Sequence, residues 1–91
     1  MVKLIEIVKG TSKYSLREVY VNPQHVVYLR EDGHIQKALV EGKLPEGLDH
    51  RQNFTRLVLE NGNHGSEFVV VGSPSDVRTK LLGNKKELLH G

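Results

Sequence analysis

The stretch NFTRLVLENGNHGSEFVVVGSPSDV, residues 53–77, decides the fold. Its first half alternates: Thr55, Leu57 and Leu59 fall on one side, Phe54, Arg56 and Val58 on the other. That period of two predicts a strand over 53–61. Asn61-Gly62 follows, and both residue types tolerate positive φ, so the chain is expected to reverse there as a hairpin running on through Asn63-His64-Gly65. SEFVVVG, 66–72, is the returning strand. Then the period changes. Ser73 can cap a helix, Pro74 suits its first position, and Asp76 stands three residues after the cap. Val77 and Leu81 recur four residues apart, with Leu82 beside them. Gly83 is a natural stop for such a helix, and NKKELLHG beyond it can supply a further turn.

Outward from this segment the pattern is again of strands. VKLIEIVK (2–9) is β-branched and ends at Gly10-Thr11-Ser12. KYSLREVYVN (13–22) sets Tyr14, Leu16, Glu18 and Tyr20 against Ser15, Arg17, Val19 and Val21, and Asn22-Pro23 closes it. HVVYLRE (25–31) ends at Asp32-Gly33. With short connections everywhere but one, an antiparallel meander is the simplest arrangement. The expected fold is mainly β: an antiparallel five-stranded small barrel or roll, with a long insert (33–53) between the third and fourth strands and a C-terminal helix over 74–89.

The bulk numbers restrict function. Ninety-one residues make one small domain. A chain of this size buries only about 60–65% of its unfolded surface, so association is a natural way to enlarge the core. Cysteine is absent, which removes disulfides, thiolate metal sites and cysteine nucleophiles. No apolar run approaches the ~18 residues that span a membrane, and no signal-peptide pattern opens the chain, so a cytoplasmic location is expected. The net charge is +2, but Lys and Arg are interleaved with Asp and Glu, which argues against duplex DNA as a partner.

The chemistry-bearing residues form no catalytic or metal pattern. His25, His34, His50, His64 and His90 show no ligand spacing on a strand or helix. LDHRQ (48–52) holds an acid, a base and a cation, but side chains adjacent in a loop point apart. No nucleophile elbow or glycine-rich phosphate loop occurs. The expectation is a non-enzymatic protein without cofactor or metal. Tyr14, Arg17, Tyr20, Tyr28 and Arg30 interleave aromatics with cations as a single-stranded nucleic-acid surface does. The competing reading makes Tyr14 and Tyr20 core residues beside Leu16.

The insert HIQKALVEGKLPEGLDHRQN (34–53) is too leucine-rich for a flexible linker. Two roles are open to it, and they are compatible. Lys37, Lys43, His50 and Arg51, with Arg30 nearby, would meet an anionic ligand, either a nucleotide or single-stranded nucleic acid, or a partner protein. Ile35, Leu39, Leu44 and Leu48 would pack against a second copy in a homo-oligomer.

The stretches VKLIEI, VYVNPQHVVYL, FTRLVLENG and FVVVGSPSDVRTKLL together cover about half the chain. In order and turn residues they resemble the small FlbD/SwrD-type flagellar proteins. That resemblance implies a small strand-rich fold ending in a helix. It also implies an accessory role in flagellar motor function through protein–protein contacts, with no enzymatic residues to carry over. The insert 33–53 has no counterpart in that shorter pattern. By analogy of build alone, small strand-rich proteins also occur among phage-encoded inhibitors and ligand-sequestering proteins.

Overall fold

The computed structural model describes residues 1–35, 52–62 and 64–90. Five strands form one antiparallel sheet: β1 (Val2–Lys9), β2 (Tyr14–Val21), β3 (Val26–Glu31), β4 (Phe54–Asn61) and β5 (His64–Val71). One helix follows, α1 (Pro74–His90). The expected fold class stands, with two corrections.

First, the sheet is not a simple meander. Its order is β2-β1-β5-β4-β3. β1 and β2 make one hairpin, β3, β4 and β5 run as a meander, and β1 joins the two by pairing with β5. Second, the sheet is not a closed barrel, because β2 and β3 are its two unpaired edges. It must nonetheless curl. Only residues 22–25 link one edge to the other. Five residue steps reach at most about 18 Å, and the edges of a flat five-stranded sheet lie about 19 Å apart. The link also contains a 3-10 turn, Pro23–His25, capped by the Asn22 side chain accepting from the Gln24 N–H at 3.0 Å, which shortens its reach. The strand ends at Val21 and Val26 are therefore drawn toward each other.

Strand pairing assigns the paired, described side chains to faces. One face carries Val2, Leu4, Val19, Val21, Leu57, Leu59, Phe68 and Val70. Val77 and Leu81 of α1 pack onto it, at 1% and 7% exposure. Each contributes roughly 1.5–3 kcal/mol by leaving water. The helix start is as the sequence predicts: Ser73 Oγ accepts from the Asp76 N–H at 3.1 Å, and the Ser73 carbonyl from Val77 at 2.9 Å. Gly72, at φ +122°, makes the corner between strand and helix, and its carbonyl accepts from the buried Thr55 hydroxyl at 2.8 Å.

α1 passes through Gly83 to His90, in line with the helix expected over 74–89. A Cβ at Gly83 would meet nothing within 4 Å. Gly83→Ala should therefore stabilise the fold by about 0.5–1 kcal/mol. The change would be read as a raised urea midpoint with an unchanged slope. A lowered midpoint would place position 83 outside a helix.

Candidate functional site

The second sheet face lies away from α1. It carries Lys3, Ile5, Ile7 and Lys9 of β1, and Tyr14, Leu16, Glu18 and Tyr20 of β2. From the other side of the sheet come Phe54, Arg56, Val58, Glu67, Val69 and Val71, with Tyr28 and Arg30 on β3. All three tyrosines of the chain thus share the face that the helix leaves open.

One end of this face is covered from within the chain. Ile7, Ile35 and Phe54 form a second buried cluster, flanked by Tyr14, Val69 and Val71. Asp32 sets this up. Its N–H donates to the Phe54 carbonyl at 2.9 Å, continuing the β3–β4 ladder by one residue. Its Oδ1 then accepts from the N–H groups of His34 (2.9 Å) and Ile35 (3.3 Å), where the backbone turns helical. This is a helix cap at the root of the insert. Its Oδ2 accepts from Arg56 Nε at 3.1 Å and Nη2 at 2.8 Å. Arg56 Nη1 donates in turn to Glu67. The Asp32 side chain is 1% exposed and that of Arg56 28%.

Burial pushes the Asp32 carboxyl upward, but the hydrogen bonds from Arg56, Ile35 and His34 outweigh it, so it titrates below the ordinary aspartate value. Arg56 is held above the ordinary arginine value by its hydrogen bonds to Glu67 and Asp32.

Beside this network lies a recess of about 430 Å³ lined by Arg30, Glu31, Asp32, His34 and Arg56. Arg30 stands directly opposite Arg56 in the strand pairing. Like charges so placed repel. Arg56 engages Asp32 and Glu67, and Glu31 also lines the recess without pairing to Arg30. Among the described residues Arg30 makes no ion pair, and it is exposed beside the half-exposed Tyr28 ring. The arrangement leaves a cation over an open recess, next to an aromatic surface.

Of the residues nominated from sequence, Arg30 and Ile35 can be placed. Arg30 lines the recess. Ile35, expected at a subunit contact, lies within the chain's own second cluster at 8% exposure. Lys37, Leu39, Lys43, Leu44, Leu48, His50 and Arg51 lie outside the described residues. Arg17 is on the helix-bearing face, where it donates to Glu6 at 2.8 Å. Tyr14 is half-buried at the second cluster, whereas Tyr20 is 61% exposed; the apolar set of β2 is Val19 and Val21 instead.

Sequence reading missed the Asp32–Arg56–Glu67 chain. Two signals for it were present: an Asp-Gly pair just before an apolar turn, and an arginine on a strand side otherwise held by Phe54 and Val58. Among the described residues no three histidine or carboxylate side chains gather as metal ligands, and no helix is long and apolar enough to cross a membrane.

Fold and site together define a small antiparallel β protein with one covering helix and one open face bearing arginine and tyrosine. Comparison with protein-family models, with curated proteins and with solved structures found no match.

Proposed function

We propose that this chain is a non-enzymatic binding protein whose open sheet face takes an anionic ligand with a stacking surface, a nucleotide or single-stranded nucleic acid. The observation that carries the reading is the pairing of Arg30 with Arg56, in which only Arg56 is given carboxylates. A phosphate in the recess would neutralise Arg30 and relieve its repulsion from Arg56. A base would stack on Tyr28, one step along the same strand side.

Anisotropy of a short labelled single-stranded oligonucleotide, with unlabelled nucleotides as competitors, tests this. Arg30→Gln should weaken binding about five- to tenfold and reduce the salt dependence by about one ion. Tyr28→Ala should cost about 1–3 kcal/mol. Binding absent at low salt, or indifferent to both changes, sinks the reading.

A second reading has its own support. The β3 edge exposes Val27 and Tyr28 at 55% and 48%, which suits an accessory protein acting only through protein–protein contacts, as the resemblance to the flagellar family implies. Capture of one defined protein, lost on Tyr28→Ala and indifferent to nucleotides, would favour it.

A further inference from the structure

We infer that two copies of this chain pair through their β3 edges, antiparallel about a twofold axis at Leu29, to make one continuous sheet. The inference draws on Tyr28 and Arg30, the two side chains the ligand reading also uses, but is tested without ligand. It starts from two consecutive exposed apolar residues, Val27 and Tyr28, on a strand whose outer edge is unpaired. Among the described residues nothing covers more than about half of either side chain.

The open groups of the edge can be read from the ladder. The Asp32 N–H points inward, to Phe54. Inward and outward groups alternate along an antiparallel strand, so Arg30 also turns its backbone inward while Leu29 and Glu31 turn theirs outward. Pairing two such edges about Leu29 sets Leu29 opposite its own copy as a hydrogen-bonded pair. Glu31 then faces Val27, and Tyr28 faces Arg30, in both directions. The Tyr28–Arg30 pairs are the closer, non-hydrogen-bonded kind, which suits a guanidinium lying on a ring. The strand is thus complementary to itself in this register.

The other edge is not. The centre of β2 (Tyr14–Val21) falls at Arg17-Glu18. Fully overlapped self-pairing with matching faces sets Arg17 against Arg17 or Glu18 against Glu18, and like charges directly opposite are destabilising. The β3 edge has no such conflict in its central register. A bulge between Val26 and Tyr28 limits the regular run to a few residues. The dimer is therefore expected to be concentration-dependent.

The natural lack of cysteine makes the test direct. Hydrogen-bonded antiparallel partners have Cα atoms about 5.5 Å apart, within the range of about 4.4–6.8 Å that a disulfide spans. Under mild oxidation, Leu29→Cys should give a species of twice the 10.3 kDa chain mass. Glu31→Cys should not, because its two copies would stand about 14 Å apart along the strands. Glu31→Pro removes only an outward N–H, which a strand edge tolerates. It should weaken the dimer at least tenfold in sedimentation while leaving the circular dichroism unchanged.

A wild-type chain that stays at monomer mass at high concentration overturns the inference. So does cross-linking through Tyr28→Cys or Glu31→Cys in place of Leu29→Cys. Should Leu29→Cys not fold, an unchanged mass for Glu31→Pro overturns it as well. No oligonucleotide is present in these measurements, so this dimer and the ligand reading succeed or fail separately.

Discussion

Replacing Phe54 by alanine is expected to lower the unfolding free energy by about 3–5 kcal/mol. Phe54 is fully buried and lies in the smaller cluster with Ile7 and Ile35. It is the one large aromatic at the centre of that cluster, and its carbonyl also receives the Asp32 N–H. Alanine would leave a cavity that the neighbouring strands cannot fill, because both remain held in their ladders. The total stability of such a domain is of order 5–15 kcal/mol. Half of it could go with this ring, with a fall in Tm on the order of 15 °C or more. Tyr20→Ala is the control: Tyr20 is on the same sheet face but 61% exposed. Its change should stay within about 0.5 kcal/mol. Chemical denaturation of both variants checks the pair. A loss below about 1 kcal/mol for Phe54→Ala would mean that the second cluster is no core.

Asp32→Ala is expected to remove about 3 kcal/mol at neutral pH. The loss has two sources. The cap on His34 and Ile35 contributes roughly 1 kcal/mol, and the charge-assisted bonds to Arg56 contribute about 1.5–3 kcal/mol. Removing one partner of a fully buried pair costs more, about 3–5 kcal/mol. Arg56 keeps Glu67 and some water, so that upper range does not apply.

The effect carries a pH signature. The folded Asp32 titrates below its unfolded value of about 3.9. Its contribution is therefore complete above about pH 5 and is lost as pH falls through the folded value. The gap in urea midpoint between wild type and Asp32→Ala should be full at pH 7 and narrow as pH falls through the folded Asp32 value. A constant gap at all pH values would show that the carboxylate charge plays no part.

Much of the fold was legible because local chemistry and tertiary position agreed. The alternation of Thr55, Leu57 and Leu59 against Phe54, Arg56 and Val58 is the alternation observed. The Ser73-Pro74 start of α1 needed only its own four residues. Gly83 did not set the helix end, because glycine's preference for helix ends is a local bias, weaker than the continuation of a helix anchored by Val77 and Leu81. Tyr20 misled because its side chain looked apolar, while α1 settles on the opposite side, against Val19 and Val21. The site was half legible. Arg30 was named as a candidate ligand contact, but the carboxylates that leave it unpaired come from positions 32 and 67, joined only through Arg56.

The sequence by itself determined the strands, the β4–β5 hairpin and the helix start. These depend on side-chain alternation, glycine at φ +67° and a serine cap, all set within a few residues. Only the tertiary structure decided that β1 pairs with β5, which sheet face the helix covers, and which arginine is neutralised. Those outcomes rest on contacts between residues far apart in sequence, such as Ile7 and Val69. No local preference encodes them, because each is chosen by the burial of a whole face at once.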